Sequence, residues 1–155
     1  MKLEIPATVS EVMTRDVVTV DENDTLLHLL GSMKSLRFRH LPVTDDDRLI
    51  GLVTERDLLG IASSNLLPEQ AERDRILQQR YCVRDVMVRQ VMTVSPETSL
   101  QEAGRLLLKQ RFGCLPVVDG NNVLRGILTA SDYVEAIVRA AAERGASLRE
   151  SGEMH

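Results

Sequence analysis

The chain repeats itself, and a repeat of this length narrows the folds open to it. Residues 9–57 laid against 83–132, with one extra residue in the second copy's turn, share 18 identities over the 49 positions of the first copy. The identities cluster. Val12-Met13 matches Val86-Met87, Thr19-Val20 matches Thr93-Val94, Arg37-Phe38 matches Arg111-Phe112, and Leu41-Pro42-Val43 matches Leu115-Pro116-Val117. Each copy closes on one pattern, Gly51-Leu52-Val53-Thr54-Glu55-Arg56-Asp57 and Gly126-Ile127-Leu128-Thr129-Ala130-Ser131-Asp132. A unit of about fifty residues buries too little surface to be stable alone, so the two halves are expected to share a core.

Within the first copy, a helical turn over 10–13 leads into the β-branched run Val17-Val18-Thr19-Val20, which predicts a strand. Asp24 or Thr25 caps a helix whose Leu26, Leu29, Leu30, Met33 and Leu36 recur at the 3.6-residue period, with His28 off that stripe at the surface. Strands over 39–44 and 49–53 flank Asp45-Asp46-Asp47. That triplet lacks the alternating oxygen ligands and distal glutamate of a calcium loop, and reads as a hairpin turn. Thr54 opens a second helix through Leu58, Leu59 and Ile61.

The second copy follows the same order. A strand over 91–94 leads to a helix entered at Pro96 and lined by Leu100, Ala103, Leu106 and Leu107. Strands over 115–118 and 123–128 flank Gly120-Asn121-Asn122, and a last helix starts near Ser131. Gly145 is expected to stop that helix after Arg144, leaving a frayed polar tail. Between the copies, Pro68 starts a charged helix through about Gln79 that reads as a solvated connector. The domain plan is therefore a first repeat over 9–62, a helical connector over 63–82, a second repeat over 83–144, and flexible ends at 1–8 and 145–155.

Composition excludes several classes of function. A net charge of −4 provides no field for nucleic acid, and two Phe, two Tyr and no Trp leave little for base stacking. The apolar runs are far shorter than a membrane span, and the N-terminus lacks the apolar core of a signal peptide. Cys82 and Cys114 have no metal-ligand spacing and read as inert thiols in a reducing cytoplasm. No nucleophile with a paired base, metal cluster or phosphate-binding glycine loop marks an enzyme, so neither catalytic residues nor a required cofactor are expected.

A threonine followed three residues later by an aspartate at a helix start is a capping box, and a single copy would mean no more than that. Here the box occurs twice, at equivalent places in a repeat, each time after a buried strand. The order strand, helix, strand, strand, helix, the Leu-Pro-Val stretch and the Gly-h-h-Thr-x-x-Asp ending together resemble the CBS domain, here as a stand-alone tandem pair covering about residues 9–144. The resemblance implies an α+β fold with the two repeats packed about a pseudo-two-fold axis. It also implies a regulatory module that binds adenine nucleotides (AMP, ADP, ATP or an NAD-like compound) in the cleft between the repeats. Chemistry agrees with those roles. The acceptor-only carboxylates of Asp57 and Asp132 match the vicinal hydroxyls of a ribose, and Thr54 and Thr129 at helix starts suit a phosphate oxygen.

In such a family the residues before the Pro-Val pair face the cleft, which makes Arg39 and His40 further candidates. Arg39 could equally be a solvated cation at a strand end, and His40 a half-buried structural histidine. The second copy has Gly113-Cys114 there, so the two sites need not be equal. Val17, Val18, Val91 and Met92 would lie against the base, or simply pack in the core. A homodimer, an effector protein carried on another chain and a cytoplasmic location complete the implied reading. The alternative is a structural dimerisation module that binds no ligand, with both boxes serving only as caps.

Overall fold

The computed structural model describes residues 6–36, 39–62, 81–109 and 113–152. The first copy supplies α1 (Leu26–Leu36), β1 (His40–Asp45), β2 (Arg48–Thr54) and α2 (Glu55–Ala62); the second supplies α3 (Leu100–Lys109), β3 (Cys114–Val118), β4 (Leu124–Thr129) and α4 (Ala130–Gly152). β1 pairs antiparallel with β2, and β3 with β4, in two separate two-stranded sheets. The three-aspartate stretch is the hairpin turn the sequence predicted. Asp46 and Asp47 both take positive φ, 49° and 65°, as a two-residue type I′ turn demands. Ile50 bulges from β2, because Val43 lies opposite Gly51 while Thr44 lies opposite Leu49. The connector helix expected from Pro68 to Gln79 lies outside the described residues.

The chain forms two compact units, and neither is one repeat. One unit takes residues up to 16, 93–120 and 125 onward; the other takes 17–92 and 121–124. Each repeat body is thus completed by the lead-in of the other copy. In the first unit, Val9 N–H donates to Thr98 O and Ser10 N–H to Pro96 O, while Thr14 and Ile127 exchange a reciprocal pair of 2.9 Å backbone bonds. In the second unit, Val83 N–H donates to Asp24 O and Arg84 N–H to Glu22 O, and Leu52 and Val88 exchange the matching pair. Fully buried Val9 and Val83 each anchor the opposite copy's core, Val9 with Leu100, Leu115 and Leu128, Val83 with Leu26, Leu41 and Val53. The first lead-in is pinned by Glu11, whose carboxylate accepts the Thr8 and Ala7 backbone N–H groups at 2.8 Å. Those two bonds hold its pKa below the ordinary value, so the tie is released only as pH falls through that lowered range.

Two of the sequence-based expectations are corrected. The strands expected over 17–20 and 91–94 shrink to single parallel bridges, Val20 with Val43 and Val94 with Val117. Val20 accepts from Thr44 N–H and donates to Pro42 O; the next rung would need an N–H from Pro42, which has none. Pro116 truncates the second copy in the same way, since Val94 donates to its carbonyl. β propensity in 17–19 and 91–93 is therefore left without a partner strand. The second correction is at Gly145. It does not stop α4, which continues to Gly152. A glycine ends a helix where it turns to positive φ; within the helix it only weakens it, and the flanking Ala, Leu, Arg and Glu favour helix.

The two bodies solve one packing problem differently. In the first unit Tyr133 of α4 lies over Gly104 of α3, where an added Cβ would meet the phenol oxygen at 2.6 Å, and that hydroxyl donates to Leu100 O at 3.1 Å. The corresponding pair in the second unit is Leu58 and Leu30, both packed in its core. A large side chain facing none and two medium ones fill similar space.

The motif glycines carry a steric demand of their own. A Cβ on Gly126 would sit 2.8 Å from both Met13 Sδ and Thr14 O, and one on Gly51 would sit 2.8 Å from Met87 Sδ and 3.0 Å from Val88 O. Gly31, exposed in α1, has nothing within 4 Å of the same position. The same substitution should therefore have opposite signs. Gly126→Ala is expected to lose about 1–3 kcal/mol by pushing the lead-in backbone away, and Gly31→Ala to gain about 0.5–1 kcal/mol of helix propensity. Urea melts of the two variants check this.

Candidate functional site

Both capping boxes form, and they are not identical. At the start of α2, Asp57 Oδ2 accepts Thr54 N–H at 3.1 Å and also the Thr54 hydroxyl at 2.8 Å, while Asp57 N–H donates back to Thr54 Oγ1 at 3.3 Å. At the start of α4, Asp132 Oδ2 accepts Thr129 N–H at 2.9 Å, and Asp132 N–H donates to Thr129 Oγ1 at 3.1 Å. The Thr129 hydroxyl is not drawn into the carboxylate. A hydroxyl from elsewhere serves instead: Thr14 Oγ1 donates to Asp132 Oδ1 at 3.2 Å. The first amide of each helix is also engaged, Glu55 N–H by Arg39 O and Ala130 N–H by Gly113 O. All four motif residues are half-buried, so their polar atoms stay within reach of solvent.

Thr14 is the residue that reading the sequence missed. It aligns with Val88 in the repeat, and that polar-for-apolar mismatch in an otherwise matched lead-in was the available signal. Eight of the ten expected site residues fall in the second unit: Thr54, Asp57, Arg39, His40, Val17, Val18, Val91 and Met92. Thr129 and Asp132 fall in the first, with Thr14. Arg39 is exposed, and half-buried His40 pairs through its backbone with Thr54. Val18 and Met92 are 39% and 44% exposed, large values for such side chains, and 17–19 and 91–93 make no backbone hydrogen bond among the described residues. The departure at Gly113 has a backbone cause. Its φ is +67°, which an arginine there would adopt only under strain.

Beside Asp132 a groove of about 310 Å³ opens between the first lead-in and α4, lined among others by Thr14, Glu11, Glu135, Arg139 and Glu143. Its one cation is already paired, Arg139 to Glu135 at 2.6 Å. Such a wall suits hydroxyl groups rather than phosphates, and Thr129 is not part of it. Among the described residues, no group of three or more His, Cys, Asp or Glu could hold a metal ion, and no helix is long and apolar enough to cross a membrane.

With the fold and its two threonine–aspartate boxes in view, the sequence profile of the CBS domain matches residues 9–64 and 83–139. The chain belongs to the CBS domain family, as a tandem pair. A CBS domain-containing protein of Dictyostelium discoideum is 32% identical over 133 residues, which cover 84% of this chain and 91% of that protein. Inosine-5'-monophosphate dehydrogenase of Methanocaldococcus jannaschii is 32% identical over 126 residues, but these make up 22% of that enzyme. Among solved structures, the CBS-pair protein CBSX2 from Arabidopsis thaliana in complex with AMP is similar at a TM-score of 0.73 and 31% identity, over 86% of this chain and 98% of that one. The cytosolic domain of the Mg2+ channel MgtE in complex with ATP is similar at a TM-score of 0.66 and 26% identity, over 83% of this chain and 48% of that one.

Cys114 precedes the Leu-Pro-Val stretch of the second copy and is buried, and desolvation pushes its thiol up to about 12. The unfolded thiol ionises near 9.0, so the contribution of this burial to stability is intact below pH 9 and is lost as pH climbs from there toward 12. At pH 8, iodoacetamide is expected to alkylate half-buried Cys82 in the native protein and to reach Cys114 only after unfolding. Mass mapping of the labelled peptides with and without guanidinium checks this.

Proposed function

We propose that this CBS pair is a regulatory module that senses adenine nucleotides at its two threonine–aspartate motifs. Asp57 and Asp132 accept the ribose hydroxyls, and Thr54 and Thr129 lie on the phosphate side. Arg39 and His40 add positive or donor character in the second unit, where exposed Val18 and Met92 and half-buried Val17 and Val91 offer apolar surface for the base. The observation that carries this reading is the state of the two aspartates. Each is fixed in direction by its own helix start, remains half-buried, and keeps lone pairs beyond those its cap consumes. Relatives crystallised with AMP and with ATP support the same ligand class. The module has no catalysis of its own, forms a homodimer in the cytoplasm, and passes its signal to an effector on another chain.

A second reading has one observation in its favour. Both boxes are closed by their own residues, and in the second unit Thr54 already donates to Asp57, as a purely structural cap would. Ligand-dependent melting separates the two. At 100 times its dissociation constant a single nucleotide adds about 2.7 kcal/mol, a rise of roughly 5–10 °C for a chain of this size. Unchanged melting across millimolar AMP, ADP, ATP and NAD would leave the structural reading standing.

Arg39 gives a finer test. Arg39→Ala is expected to weaken AMP by about 1.5–3 kcal/mol, the value of a charge-assisted bond, and to spare adenosine. Calorimetry with both ligands reads the difference, and equal weakening would place Arg39 outside phosphate recognition.

A further inference from the structure

We infer that Thr14 is a positioning residue that makes the Asp132 site the tighter of the two. This rests on the proposed nucleotide reading and adds to it which motif fills first and why. A carboxylate needs its orientation fixed from two sides to present its remaining lone pairs in one direction. Among the described residues Asp57 obtains that only from Thr54, which spends both its N–H and its hydroxyl on the same oxygen, Oδ2. A phosphate recruiting the Thr54 hydroxyl must first break that 2.8 Å bond. Asp132 is held from two directions instead, through Oδ2 by Thr129 N–H and through Oδ1 by the Thr14 hydroxyl. One lone pair stays on each oxygen for a vicinal diol, and the Thr129 hydroxyl keeps its proton for a ligand oxygen.

The device depends on the exchanged lead-in. Thr14 reaches α4 because its own backbone is bonded in both directions to Ile127, so the hydroxyl is delivered from a fixed point. At the corresponding point of the second unit, Leu52 and Val88 make the same backbone bonds, but valine has no hydroxyl to offer. At this point the two lead-ins thus differ by one hydroxyl, and the second copy already demonstrates that the fold accepts valine there.

The test is calorimetric titration of AMP into the full chain and into Thr14→Val, Thr14→Ser, Val88→Thr, Asp57→Asn and Asp132→Asn. The tighter site of the parent is expected to be lost in Asp132→Asn and kept in Asp57→Asn. Thr14→Val should weaken that site about three- to tenfold, Thr14→Ser should restore it, and Val88→Thr should tighten the other. If the tighter site is lost in Asp57→Asn instead, or if Thr14→Val binds like the parent while either aspartate variant is weakened, the inference is wrong and the nucleotide reading survives. Equal weakening by Thr14→Val and Thr14→Ser would show that a hydroxyl at this position does not restore the site, and would also overturn it. If the parent and every variant take up no AMP at millimolar concentration, the nucleotide reading fails, and this inference with it.

Discussion

Four backbone hydrogen bonds hold the architecture together: the reciprocal pair between Thr14 and Ile127 and its counterpart between Leu52 and Val88. Each closes the outer edge of a two-stranded hairpin with a segment from the other copy, so an edge that would otherwise present bare N–H and C=O groups is covered. The approach is close enough that the hairpin residue beside it, Gly126 or Gly51, has no room for a Cβ. Everything else of interest hangs from this contact. It carries Val9 and Val83 into the cores they anchor, and it sets Thr14 against Asp132.

Much of this was legible because the repeat is written in residues with strong local meaning. The helix stripe of Leu26, Leu29 and Met33 is buried as its period predicted, and His28 is exposed. The turn chemistry at Asp46-Asp47 and the caps at Thr54 and Thr129 also follow from the sequence. Non-local effects were harder. The strands over 17–20 and 91–94 fail because of a proline on the neighbouring strand, which no inspection of the valines themselves could reveal. The exchange of lead-ins leaves no mark in either copy, since a chain that closes each repeat on itself would carry the same apolar pattern. Gly145 was misread by weighing composition against a conformation that only φ decides.

At each motif the pair of residues that caps the helix is also the pair proposed to take the ligand, and the two uses would share a finite set of lone pairs. Where the threonine spends its hydroxyl on the aspartate, as at Thr54, the cap gains one bond and the hydroxyl proton is no longer open to anything else. Where a third residue takes over part of that work, as at Thr14, the cap persists and the atoms remain. The repeat could diverge in this respect without changing the motif itself. The sequence difference lies in the lead-in, and its effect lies 118 positions away.

The exchanged lead-ins also govern the order in which the chain can fold as it leaves the ribosome. The unit built on the first hairpin lacks its Val83 anchor and its Val88 edge until the second lead-in emerges, and it includes 121–124 besides. The other unit must keep its earliest-made segment waiting until β4 is synthesised. Neither unit closes on contacts local in sequence, so folding is postponed toward the end of translation and runs through pairings of high sequence separation. A cut through 63–80 would separate two fragments that each carry the other's missing edge. Such fragments need to find one another to fold, because each core draws on both of them.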